Sequence, residues 1–149
     1  MDWLHNIIYT LAKDKFSSIV GVEGQDWDDI SFTPYLYPPG TKISWHDDGV
    51  FSGAAIFYVH PYWNAHWAGE LMLAKTPNVE VPSTNYMTRK DHSDHLNYYG
   101  IGQYIAPISN RLVFTKGSLW HSINRVDQAA GDNVRCSVVA FFKKKNQEY

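Results

Sequence analysis

Sulfur is scarce in this chain: there is one cysteine, Cys136, among 149 residues. A lone thiol cannot close an internal disulfide, so the fold must rest on noncovalent packing. That permits a reducing compartment, and a cytoplasmic protein is the expectation. Charge of one sign is scarce too. The formal net charge is −2, and the one basic run is Lys143-Lys144-Lys145 near the end. A nucleic-acid partner calls for a basic stripe or patch, so none is expected. Long hydrophobic runs are missing, and nothing approaches the roughly 20 apolar residues that cross a bilayer. The opening Met1-Asp2-Trp3-Leu4-His5-Asn6-Ile7-Ile8 has neither the basic start nor the sustained apolar core of a secretory signal. No membrane partner is expected either. Internal repeats and low-complexity segments are absent, and oligomeric state leaves no trace in the sequence.

What is plentiful is aromatic surface, with six Trp and ten Tyr, as suits a sheet-rich protein whose pockets are lined by rings. The length allows one domain, 1–149, with a substantial core. Trp3, Leu4, Ile7, Ile8 and Leu11 recur at helical spacing, with Asp2 as an N-cap. They predict a helix over 1–16 packed on the outside of a sheet. Ser17–Gly24, the acidic Asp26-Trp27-Asp28-Asp29 and Ile30–Tyr37 read as short strands and turns. Pro38-Pro39-Gly40 then turns the chain into a strand over Thr41–Asp48.

Further strands are expected over 54–59, 68–73, 103–108, 111–115, 119–126 and 134–142. The polar stretch 74–102, which holds Asp91-His92-Ser93-Asp94-His95, reads as an inserted lid or substrate loop. Its two histidines raise a second metal, but a polar exposed loop is the preferred reading. Many short strands between frequent turns indicate a mainly β fold, a sandwich or barrel.

In Trp45-His46-Asp47-Asp48, extended backbone would point His46 and Asp48 to one side and Asp47 to the other. An imidazole and a carboxylate so placed are two of the three donors of a two-His, one-carboxylate iron site, or simply parts of a polar surface turn. The strand over 119–126 puts His121 on one face with Leu119, Ile123 and Arg125. By itself His121 is as readily a core or rim residue as a ligand. Arg135 shares a face with Ser137, Val139 and Phe141, on a strand that offers no acidic partner. A bound carboxylate, or one from elsewhere in the fold, would have to pair with it.

The order His46-x-Asp48, Tyr58 in a strand ending in Trp63, Gly69-Glu70-Leu71, Arg111-Leu112-Val113-Phe114, His121 and Arg135 is specific as a set. It resembles the catalytic core of the Fe(II)- and 2-oxoglutarate-dependent dioxygenases, and among them the prolyl-hydroxylase-like branch. The likeness runs from about Tyr35 to Phe142. It implies a double-stranded β-helix, the jelly roll shared with cupins, with His46, Asp48 and His121 as iron ligands. It also implies Arg135 as the partner of the distal carboxylate of 2-oxoglutarate and Tyr58 as a hydrogen-bond partner of that co-substrate. Tyr37 sits where relatives carry a pocket tyrosine, or is a packing aromatic. Arg135 follows His121 by fourteen positions, a longer spacing than this branch favours, which makes Arg125 a rival anchor.

The resemblance further implies Fe(II), 2-oxoglutarate and O2, with ascorbate as a stimulant. The implied reaction is hydroxylation of an unactivated C–H bond with release of succinate and CO2. Retention of Asp48 argues against halogenation, because halogenating relatives vacate that position. By analogy the substrate is a prolyl residue in a peptide or protein, with the aromatic segment Tyr62–Trp67 available to grip it. A free amino acid or other small molecule is the alternative. A non-catalytic jelly-roll module binding a small acid, and a cupin-type metalloenzyme indifferent to 2-oxoglutarate, complete the field.

Overall fold

A computed structural model of the protein describes residues 2–75 and 89–145. The first helix, α1 (Asp2–Asp14), buries Leu4, Ile8 and Ala12, one residue per turn along a single face. Asp2 stands in the first turn of α1 rather than as its cap, where its charge complements the helix dipole. The next stretch departs from expectation: Ser17–Val20 is a short helix, α2, despite its β-branched residues. Tertiary packing overrides propensity there, with Val20 buried and the adjacent Phe16 ring stacked 4.3 Å from that of Phe114.

Eight strands follow among the described residues: β1 (Trp27–Tyr37), β2 (Ile43–His46), β3 (Phe51–Tyr58), β4 (Leu71–Ala74), β5 (Gly102–Ile105), β6 (Leu112–Lys116), β7 (His121–Ile123) and β8 (Arg135–Lys144). They form two four-stranded antiparallel sheets, in the orders β1-β8-β3-β6 and β2-β7-β4-β5. This is the jelly roll, with α1 on the outer face of the first sheet. The acidic residues Asp28 and Asp29 lie within β1 rather than in a turn, and β3 stops at Tyr58, so Trp63 belongs to the loop beyond it. Trp63 and Trp67 meet edge to face at 5.3 Å and pack on the interior cluster.

Strand alternation divides the first sheet cleanly. Ala55, Phe57, Val138, Ala140 and Phe142 face α1 with Leu4, Ile8 and Val20, whereas Ala54, Ile56, Tyr58 and Val139 face the second sheet. Strand β3 is apolar almost throughout because both of its faces are covered.

The polar stretch 74–102 is not wholly a loop: Arg89–Asn97 forms a helix, α3, and residues 76–88 lie outside the described residues. Helix α3 has no apolar stripe to announce it. Its half-buried side carries two imidazoles beside Leu96, with the rings of His92 and His95 lying 4.9 and 5.6 Å from that of Trp120. Lys90 and Asp94 pair one turn apart on its outer side. His92 and His95 are thus half-buried packing groups and not parts of an exposed loop. No helix among the described residues is long and apolar enough to cross a membrane.

Candidate metal centre

Strands β2 and β7 bring two histidines together. Their register pairs Ile43 with Ile123 and His46 with His121, so three steps along β2 oppose two along β7. The extra residue is a bulge, and it turns both Ile43 and His46 inward where strict alternation would separate them. Asp48 lies past the end of β2, yet its carboxylate still points inward, because the backbone around it is tied down. Its N–H donates to the Gly117 carbonyl at 2.8 Å, and its carbonyl accepts the Phe51 N–H at 2.7 Å.

Gly117 is needed for that approach: a Cβ there would stand 2.0 Å from the Phe51 carbonyl oxygen and 3.0 Å from that of Asp48. Gly117→Ala should therefore displace the Asp48 carboxylate. Affinity for a divalent metal should fall ~10- to 100-fold, as when an outer support of a ligand is removed. Metal titration reads this, and an unchanged affinity would show that the close approach does not matter.

The donor atoms of His46, Asp48 and His121 all lie within 4.8 Å of one another, the one such group of three or more among the described residues. Nε2 of His46 is 3.7 Å from Asp48 Oδ1, and Nε2 of His121 is 3.4 Å from Asp48 Oδ2. Each Nδ1 faces the carbonyl two residues earlier, that of Ser44 at 2.8 Å and that of Leu119 at 2.7 Å. A carbonyl only accepts, so both Nδ1 atoms carry hydrogen and both Nε2 lone pairs are turned toward the carboxylate. This is the tautomer that a metal requires, fixed by the local backbone before any metal arrives.

Burial pulls the His121 pKa down, but the Asp48 hydrogen bond, the Leu119 carbonyl and the charges of Asp48 and Asp47 outweigh it, and the net shift is upward. A proton and a metal would therefore compete at this ring. Metal should raise the melting temperature most above the raised pKa, and the increment should shrink as pH falls through it. The metal-free protein should behave oppositely. The stabilisation from charged His121 is complete below the unfolded-state pKa and is lost as pH rises through the folded-state value. Thermal melts with and without metal across this range would test both signs, and a metal increment independent of pH would contradict them.

The second half of the site lies on β8. Arg135, 1% exposed, lines the same pocket as the triad, with Tyr35, Tyr37, Ser137 and Phe141. Its Nε donates to the Gly69 carbonyl at 2.7 Å and one terminal nitrogen reaches the Tyr58 hydroxyl at 3.4 Å. Its guanidinium carbon stands 4.8 and 5.0 Å from the ring centres of Tyr37 and Tyr58. The other terminal nitrogen is buried with no hydrogen-bond partner, and no carboxylate among the described residues pairs with the charge. Burial lowers the Arg135 pKa and pushes the Tyr37 hydroxyl up to about 12. Tyr37 is thus both a packing ring and a pocket wall.

Arg125 is exposed and its guanidinium donates to the Gly40 carbonyl, outside the pocket lining. Gly69 has φ +76°, and a Cβ there would press on the Arg135 Cδ at 3.0 Å, so glycine seats the arginine. The empty space of the pocket, with the open solvent at its mouth included, is about 490 Å3. It holds a three-donor cluster at one place and an anion-seeking cation at another.

No family model matches the sequence, and no curated protein matches it. Solved structures match in fold. A prolyl-4-hydroxylase from Pseudomonas putida is similar at 18% identity and a TM-score of 0.57, over 81% of this chain and 55% of that one. A prolyl hydroxylase from Trichoplax adhaerens, solved with a hypoxia inducible factor oxygen degradation domain peptide fragment, gives 14% identity and a TM-score of 0.64. That match covers 95% of this chain and 55% of the other. An oxidoreductase of the 2OG-Fe(II) oxygenase family from Burkholderia pseudomallei gives 13% and 0.54, over 95% of this chain and 58% of that one. The chain thus spans a little over half the length of each of these three proteins, and its fold is that of the prolyl-hydroxylase-like 2OG-Fe(II) oxygenases.

Proposed function

We propose that this protein is an Fe(II)- and 2-oxoglutarate-dependent dioxygenase that hydroxylates an unactivated C–H bond. The observation that carries the reading is the shared pocket. A His-Asp-His cluster with both Nε2 lone pairs presented lies in one cavity with a buried guanidinium that has no anionic partner among the described residues. A two-nitrogen, one-oxygen donor set leaves positions open on Fe(II), as oxygenase chemistry needs. His46, Asp48 and His121 would hold the metal. Arg135 would take the distal carboxylate of 2-oxoglutarate on its free nitrogen, with the Tyr58 hydroxyl beside it.

Iron supplies the oxygen chemistry, in which 2-oxoglutarate, O2 and a substrate C–H become succinate, CO2 and an alcohol. The chain's own residues bind and orient. The rings of Tyr37 and Tyr58 lie against the guanidinium and hold it in place for the keto-acid, and Ile43, Ile56, Val139 and Phe141 give the pocket an apolar lining.

For the substrate, the peptide-bound relative from Trichoplax adhaerens supports a prolyl residue within a peptide or protein. Incubating the protein with Fe(II), 2-oxoglutarate and proline-containing peptides should yield one succinate per oxygen atom gained by the peptide. Free amino acids form the comparison arm, and oxygen insertion into them instead would move the substrate to the small-molecule class. Binding of 2-oxoglutarate with no O2 consumption in any arm would point to a non-catalytic binding module.

A further inference from the structure

His60 is 3% exposed, just past the end of β3. Both of its nitrogens are engaged. Nε2 lies 2.5 Å from the Pro107 carbonyl oxygen, which only accepts, so Nε2 carries the hydrogen and Nδ1 keeps its lone pair. Nδ1 accepts the backbone N–H of Cys136 at 3.1 Å. The ladder between β3 and β8 runs to Tyr58 opposite Ser137, and Val59 N–H still donates to the Cys136 carbonyl at 3.1 Å. The imidazole makes the return bond, and so extends the ladder one step beyond the strand, at the residue next to Arg135.

A second route joins the same two residues. The His60 ring packs on Trp63 with centroids 4.9 Å apart, and Trp63 Nε1 donates to the Ala68 carbonyl at 2.8 Å. The next carbonyl, that of Gly69, is the one that takes Arg135 Nε at 2.7 Å. The backbone beside Arg135 and the far end of its side chain are therefore both referred to one imidazole.

We propose that His60 is a positioning residue for the keto-acid subsite, one that sets affinity for 2-oxoglutarate by fixing Arg135 without touching the ligand. The inference rests on the oxygenase reading above. It has a proton-dependent signature. A second proton on Nδ1 would turn that atom from the Cys136 N–H toward the Cys136 carbonyl, 3.1 Å away and already taken by Val59. The Cys136 N–H would then lack an acceptor. Facing the ring are Arg135 and Cys136 from β8, Tyr58 from β3, Trp63, and the Pro107 carbonyl. Burial holds the His60 pKa below its ordinary value against the pull of the two carbonyls, and the Arg135 charge adds to burial.

The test is calorimetric titration of the Mn(II)-loaded protein with 2-oxoglutarate, with Mn(II) affinity measured separately. Asparagine offers an oxygen where Nδ1 accepts, and glutamine does not. His60→Gln should weaken keto-acid binding ~10-fold or more, the scale of one hydrogen bond lost next to a charged group. His60→Asn should stay near the unsubstituted protein, and Mn(II) affinity should hold in both. Acidification should weaken keto-acid binding more steeply in the unsubstituted protein than in His60→Asn, a comparison that stands even where His60→Gln does not fold.

Equal affinities and equal pH profiles in all three proteins would overturn the role of His60 and leave the oxygenase reading intact. Parallel loss of Mn(II) and keto-acid binding in both variants would overturn it in favour of a purely structural role. An unsubstituted protein that binds Mn(II) but no 2-oxoglutarate would instead defeat the oxygenase reading.

Discussion

His121→Ala should abolish metal-dependent conversion of 2-oxoglutarate to succinate. The ring is buried, its Nδ1 is committed to the Leu119 carbonyl, and its Nε2 is one of the three donors that cluster in the pocket among the described residues. Loss of an outer support of a ligand costs ~10- to 100-fold in metal affinity, and loss of the ligand itself must cost more. His46→Ala should behave alike, because its geometry mirrors that of His121 down to the carbonyl two residues back. Arg125→Ala is the control, since that guanidinium bonds to Gly40 at the surface. Succinate formation at the unsubstituted rate in either histidine variant would refute the assignment.

Arg135→Met should separate stability from binding. The buried guanidinium has no anionic partner among the described residues, so an apolar side chain beside the Tyr37 and Tyr58 rings should leave the melting temperature unchanged or raise it. Affinity for 2-oxoglutarate should fall by about two decades or more, the scale expected when one member of a desolvated charge pair is removed. Thermal melts and 2-oxoglutarate titrations of the metal-loaded variant would read both effects. Unchanged affinity here, with a large loss in Arg125→Ala, would transfer the anchoring role to Arg125.

These residues were legible in the sequence to different degrees. Alternation along β8 correctly places Arg135, Ser137, Val139 and Phe141 on one face, because a strand with two covered faces leaves no freedom of register. The helical spacing of α1 was equally plain, but of the residues that announce it Trp3 and Ile7 are exposed, and the buried face is Leu4, Ile8 and Ala12. The convergence of His46 and Asp48 was anticipated from strand alternation, yet β2 ends at His46. A bulge aims the histidine, and backbone bonds to Gly117 and Phe51 aim the aspartate. Bulges answer to the partner strand, so the sequence of one strand does not reveal them.

Helix α3 was hidden because its packing face is histidine against Trp120, without the apolar spacing by which helices are recognised. Helix α2 was hidden because β-branched residues there yield to the packing of Phe16 on Phe114. His60 carried no signal at all. Its partners Cys136 and Pro107 are 76 and 47 positions away and use only their backbones, which no side-chain pattern records.

The most direct test is anaerobic titration of the Fe(II)-loaded protein with 2-oxoglutarate, followed by visible absorption. A keto-acid chelating the iron through its carboxylate and oxo groups gives a charge-transfer band. The expected result is a band that saturates at one equivalent per chain, is missing in His121→Ala, and needs far more keto-acid in Arg135→Met. A featureless spectrum, or the same band in the absence of His121, would mean that the triad and the guanidinium do not act on one ligand.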